Sequence, residues 1–237
     1  MFVLLLLGLS APWAGESPSQ PTPFSKAMLG SALPQGWALN TLPNVPHATR
    51  FELVGDEDQT VLRAESENAA ASLMHKLSVD TAKTPWLAWR WKVSRVLASA
   101  DLAAKSGDDY AARVYVLFDY PLENLGLADR LTISLVRAIY GQELPAAALC
   151  YVWDNRYPVG TSAWSAYTDR VRMIVLESGG EHVGQWRLER RDVAADFRAA
   201  FGEEPPPVSG IALAADTDNT GETVTAWFGD FRFLPKP

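Results

Sequence analysis

The chain has 237 residues, 48% of them hydrophobic, with 21 Lys and Arg against 28 Asp and Glu and a formal net charge of -7. That balance excludes phosphate-backbone recognition, which runs on a basic surface, so no nucleic-acid partner is expected. Nine Trp, nine Phe and seven Tyr exclude a disordered chain, and the lone Cys150 excludes a disulfide framework and every multi-cysteine zinc site.

In chain order, residues 2–9 form the apolar run FVLLLLGL, followed by the small-residue stretch SAPWAG. The run is far short of the roughly 20 residues a membrane-spanning helix needs, and it matches the core of a secretory signal. No Lys or Arg precedes it. The expected organisation is a signal peptide over 1–15, a flexible Ser/Pro-rich lead-in over 16–35, and one β-sandwich domain over 36–234. The expected location is periplasmic or secreted, with no transmembrane segment in the mature chain.

From residue 60 onward, short strand-like runs alternate with turns. The clearest is 86–93, WLAWRWKV, where Leu87, Trp89, Trp91 and Val93 share one face and Ala88, Arg90 and Lys92 the other. A period of two with aromatic and β-branched residues marks a strand with one buried side. Comparable runs occupy 60–65, 72–79, 111–118, 147–153, 170–177, 184–189, 209–215 and 223–233. Many short strands without long intervening helices predict an all-β, antiparallel sandwich of the jelly-roll or galactose-binding type. Two helical insertions are predicted. One lies at 127–140, with Leu127, Leu131, Leu135 and Ile139 every fourth residue. The other lies at 192–201, started by Asp192 and ended by Gly202.

The motifs of acyl transfer, nucleotide binding and zinc proteolysis are missing: there is no G-x-S-x-G, P-loop, G-x-G-x-x-G or HExxH pattern. Cys150 reads as a buried, inert thiol and His75 as a core histidine. Two places carry more chemistry. In 107–116, GDDYAARVYV, alternation places Asp109, Arg113 and Tyr115 on one face, opposite Val114, Val116 and Phe118. If the polar faces of neighbouring strands align, Arg90, Lys92, Tyr151, Trp153 and Asn155 join them. Rings beside Arg, Asp and Asn suit a sugar, because the apolar face of a pyranose stacks while planar polar groups bind its hydroxyls. The same residues can equally close a structural ion pair. The second place is DTDNTGE at 216–222, with Asp230 beyond it. Asp216, Asp218 and Asp230 offer the oxygens a structural calcium takes, although the spacing misses the EF-hand pattern and the stretch also reads as a metal-free turn. No other cofactor is expected.

The ordered set 89–93 (WRWKV), 107–116, 149–155 (LCYVWDN), 158–179, 190–206 and 216–222 resembles the bacterial domain-of-unknown-function family numbered 3047. The resemblance implies an exported β-sandwich similar to galactose-binding and lectin-like domains. It carries no activity, and it marks Trp91, Asp108, Asp109, Arg113, Tyr151, Trp153, Asp154, Asp216, Asp218 and Asp230 as family-pattern positions. Three functions are compatible with this reading. The leading one is a non-catalytic binding module for a saccharide or other polar envelope ligand. The others are a polysaccharide-acting enzyme with Asp/Glu acid–base chemistry, and a purely structural envelope protein.

Overall fold

A computed structural model describes residues 17–124, 126 and 146–237. The expected signal peptide at 1–15 and the expected helix at 127–140 lie outside the described residues. Two sheets face each other. The first has seven strands in the order β1 (Trp37–Thr41), β4 (Ala71–Val79), β11 (Val208–Asp216), β6 (Tyr110–Phe118), β7 (Ala147–Asp154), β9 (Thr168–Ser178), β8 (Ser162–Ser165). The second runs β10 (Arg187–Asp192), β5 (Trp86–Val93), β12 (Thr223–Phe228), β3 (Gln59–Glu67), β2 (Arg50–Asp56), with β13 (Arg232–Leu234) also on β5. All pairings among the described strands are antiparallel except β7 with β9, which is parallel.

The all-β sandwich read from the sequence is therefore the architecture. In β5 the alternation holds at every position: Leu87, Trp89, Trp91 and Val93 are buried and their neighbours half-buried. Trp89 and Trp91 meet edge-on at 5.7 Å, and Trp91 reaches Trp153 of the opposite sheet at 5.9 Å. The helix α1 (Val193–Phe201) has its predicted caps: Asp192 accepts from the Ala195 N–H, and Gly202 takes the left-handed conformation at φ 74°.

Three departures have physical causes. The run 223–233 is two strands, broken at Gly229, where a Cβ would lie 2.6 Å from Arg90 Cγ. Part of the stretch read as a flexible lead-in, from Gln20 to Phe24, is tied to the sandwich. Phe24 is fully buried, Gln20 exchanges two hydrogen bonds with the backbone of Phe233, and Trp37 Nε1 donates to the Thr22 carbonyl. The third concerns β7, in which all eight residues are buried. Tyr151 and Trp153 face the space between the sheets, while Cys150 and Val152 join Leu102, Tyr110, Met173 and Val175 in a smaller core on the outer side. A strand covered on both faces is apolar throughout, so its alternation cannot show which face is inside.

Candidate functional site

The outer face of the seven-stranded sheet carries a groove of about 270 Å³. Its floor is low because the central strands present Ser72, Ala148, Ala212 and Ala214 there. Leu42, Met74, Leu117 and Val171 form its apolar walls, and Asn40, Tyr115 and Asp216 supply the polar atoms. A concave, mostly apolar site with a few placed polar groups is the usual form of a small-ligand pocket, and this volume suits a small ligand.

The polar end is built by β6 against β11. The register shifts between Ala214 and Asp216, so Asp216 faces both Tyr110 and Arg113. Arg113 Nε donates to Asp216 Oδ1 at 2.8 Å and Nη2 donates to Asp216 Oδ2 and to the Asp108 carbonyl. Its Nη1 donates to Tyr115 Oη at 3.1 Å and lies 3.5 Å from Asp108 Oδ2. Arg113 is only 5% exposed. Burial opposes its charge, and the neighbouring Tyr115 and Asp108 more than offset that, so its pKa is raised. Asp109, also buried, accepts from the Asn219 and Thr220 N–H groups and thereby holds the 217–221 turn in place. Gly107 is required at the approach, since a Cβ there would lie 2.6 Å from the Asp101 nitrogen.

These contacts correct the constellation expected from sequence. Asp109, Arg113 and Tyr115 do share a neighbourhood, but Arg113 is sealed below the surface with every guanidinium nitrogen engaged. A recognition site with Arg113 as its exposed cation is ruled out. Tyr151 and Trp153 are in the inner core: Tyr151 Oη donates to Asp196 at 2.7 Å, and Trp153 Nε1 donates to the Gly179 carbonyl at 3.3 Å. Asn155 spends its amide on the Ala98 and Ala100 carbonyls. Arg90 lies on the outer face of the other sheet, bonded to Glu57 and Gln59 with its guanidinium 4.2 Å above the Trp186 ring. Lys92, on the same face, pairs with Asp56 between the rings of Trp186 and Trp227. The polar faces do not align because β5 belongs to one sheet and β6 and β7 to the other.

The expected calcium set is also divided. Asp230 is not part of the group that holds Asp216 and Asp218, and it accepts from both the backbone N–H and the hydroxyl of Ser25. Asp109 takes its place: one oxygen each from Asp109, Asp216 and Asp218 lie within 4.8 Å of one another. The oxygens of Asp109 and Asp216 already accept from N–H groups and Arg113, which occupies the lone pairs a calcium ion needs. Asp218, half-buried, has its carboxyl pushed up by burial first and by Asp109 second. The exposed Tyr167, whose hydroxyl donates to the Lys105 carbonyl, stands close enough to this group that, after burial, Asp108 and Asp218 raise its pKa. The Cys150 thiol is fully buried and pushed up to about 12, chiefly by burial, as an inert thiol should be.

A second charged cluster escaped the sequence reading. At the seam where β9 meets β10, Glu177 accepts from Arg187 Nε at 2.6 Å and is bonded to His182 Nδ1 at 2.8 Å. Glu189 accepts from Trp91 Nε1 at 3.1 Å, and burial followed by the Glu177 charge lifts it to about 6. The alternation Arg187, Glu189, Arg191 along an edge strand is the sequence signal for it. Charges turned inward on an edge strand also block pairing with another chain.

The architecture thus defines a β-sandwich protein whose seven-stranded sheet carries a groove with Asp216 at its polar end. The chain belongs to the family described as protein of unknown function, DUF3047, whose model matches residues 35–232. No curated protein matches the sequence. Among solved structures, the chain is similar to a family 12 xyloglucanase from Bacillus licheniformis, at 9% identity and a TM-score of 0.45, covering 85% of this chain and 94% of that one. It is also similar to the xyloglucanase domain of NopAA, a type three effector from Sinorhizobium fredii, at 9% identity and a TM-score of 0.42, covering 89% and 99%. A family 30 carbohydrate-binding module of a cellulosomal cellulase from Clostridium thermocellum shares 12% identity with a TM-score of 0.37, covering 93% and 96%. Likenesses this distant leave function to be argued from the side chains.

Proposed function

We propose that the protein is an exported, non-catalytic binding module, built as one sandwich domain, that takes a saccharide in the groove on its seven-stranded sheet. The observation that carries this reading is the groove's composition: a floor of Ala148, Ala212 and Ala214 for the C–H face of a sugar ring, with Asn40, Ser72 and Asp216 within the same cavity for its hydroxyls. Export is supported by the apolar run at residues 2–9. N-terminal sequencing of protein recovered from the periplasm or medium tests it, and an uncleaved cytoplasmic product would remove that part.

Binding is tested by calorimetry against a panel of oligosaccharides, comparing wild type with Ala214→Trp, which fills the groove floor, and Leu188→Ala on the opposite sheet. Loss in the first and retention in the second is the expected result. Equal binding by both variants would move the site elsewhere. An acid–base enzyme is the second reading, favoured by the raised carboxyl of Glu189 close to Glu177, two carboxyl groups held in different surroundings. Hydrolysis of a polysaccharide that Glu189→Gln abolishes would establish it.

A further inference from the structure

His75 is 1% exposed and stands in a chain of hydrogen bonds that holds residues 17–23 to the sandwich. Its Nδ1 lies 2.8 Å from the Lys76 carbonyl, which can only accept, so these partners assign the ring proton to Nδ1. Nε2 is then bare, and it accepts from the Thr22 N–H at 3.2 Å, with Thr22 Oγ1 at 3.3 Å. The Thr22 carbonyl in turn accepts from Trp37 Nε1 at 2.8 Å. Gly36 closes over the ring, where an added Cβ would lie 2.5 Å from Nε2. Only a neutral imidazole fits this chain. A proton on Nε2 turns the acceptor into a donor: the Thr22 hydroxyl can accept it, but the Thr22 N–H is left facing a second N–H group.

The surroundings offer an imidazolium no counter-charge. Among the described residues, the segments packed on the ring, 17–24, 33–41 and 208–215, contain no titratable side chain. On its own strand the exposed Lys76 adds a charge of the same sign. Lys26 and Asp230 come next, beyond residue 24, where Asp230 holds Ser25. Burial, first, keeps the imidazole below its ordinary range, with the Lys76 carbonyl partly offsetting it. Residues 17–23 belong to no ladder; the Pro18 carbonyl accepts from the Ser78 N–H at 2.9 Å and Gln20 bonds twice to the Phe233 backbone. The segment can therefore leave while both sheets stay paired. We infer that His75 is an acid-sensitive latch: its protonation frees residues 17–23 from the sandwich and leaves the two sheets intact. The folded ring holds a proton less tightly than a free one, so the latch is complete above the ordinary value of 6.5 and weakens as pH falls below it. The latch works whatever the groove binds.

The experiment is hydrogen–deuterium exchange followed by NMR, with each rate corrected for the pH dependence of intrinsic exchange. Three protons report the latch: the Thr22 N–H, the Ser78 N–H and the Trp37 Nε1–H. From about pH 7.5 to about pH 4.5 their opening should increase together by about a hundredfold, roughly tenfold for each pH unit below the ordinary histidine value, while the ladder amides of β5 stay unchanged. His75→Gln, which keeps an acceptor that takes no proton, should make the three rates independent of pH. Asp230→Asn should leave the wild-type dependence in place, and its loss there would assign the device to Asp230 instead. If His75→Gln fails to fold, titration of the His75 ring in wild type decides. Ring protonation that coincides with loss of Thr22 protection supports the latch, and ring protonation with Thr22 still protected overturns it. Flat rates in wild type overturn it, as does an unchanged pH dependence in a folded His75→Gln. So do β5 amides that rise with the three reporters, because the whole domain is then opening.

Discussion

Arg113 and Asp216, 103 residues apart in sequence, form a two-point ion pair between β6 and β11, with Nε on Oδ1 at 2.8 Å and Nη2 on Oδ2, each residue less than a tenth exposed. The pair ties the start of β6 to the end of β11 at the point where the register shifts, and so fixes one end of the groove. Removing one partner leaves the other buried without its closest counter-charge. Arg113→Ala and Asp216→Ala should each cost about 3–5 kcal/mol of stability, measured by urea unfolding. An Arg113→Met, Asp216→Leu double variant should be less destabilised than the sum of the singles, because no orphaned charge remains. Additive losses would show that the two residues act separately.

Two glycines separate rigid from yielding neighbours. At Gly107 an added Cβ meets the Asp101 backbone nitrogen at 2.6 Å, whereas at Gly229 it meets the flexible side chain of Arg90. Backbone cannot swing aside, so Gly107→Ala should lower the melting temperature clearly more than Gly229→Ala. Equal shifts would mean that the approach of the 101–107 loop is not fixed.

The raised carboxyl of Glu189 has a pH signature. Its folded pKa of about 6 lies above the ordinary value of 4.5, so the folded state binds the proton more tightly than the unfolded chain. Stability from this group is present below the unfolded value and is lost as pH rises from about 4.5 to about 6. Glu189→Gln, which mimics the neutral form, should be at least as stable as wild type at pH 7 and should flatten the stability profile across that window. An unchanged profile would place the raised proton elsewhere.

Cys150, buried and with its thiol pushed up to about 12, should resist iodoacetamide at pH 8 in the native protein and react promptly in urea. Mass spectrometry of the alkylated chain reads this directly, and rapid native labelling would contradict the burial.

Trp153, expected from sequence to contact ligand, is a core residue whose ring lies tilted against that of Trp91. Trp153→Ala should cost about 3–5 kcal/mol of stability and should leave affinity in the remaining folded fraction unchanged. A loss of affinity without a loss of stability would return it to the binding surface.

Much of the fold was legible because its signals are local. The β5 alternation sorts Leu87, Trp89, Trp91 and Val93 inward because its other face is half wet, and Asp192 and Gly202 cap α1 through bonds within a few residues. β1, β2 and β8 were not read. They lie at or near sheet edges, where Thr41, Arg50 and Ser162 face solvent and the apolar alternation is weak. The seam cluster was written in the alternation of Arg187, Glu189 and Arg191, but Glu177 joins it from another sheet.

By itself, the amino-acid sequence determined an all-β sandwich, one capped helix, an inert thiol and the acidic character of the whole. Tertiary structure alone decided which face of β7 is inside, that Arg113 is spent on Asp216, and that Arg90 and Asp230 belong to other surfaces. The reason is physical: a period of two distinguishes faces only where one of them meets water. Strands covered on both sides carry no such contrast, and the partner of a buried charge is chosen by strand order, which no local pattern records.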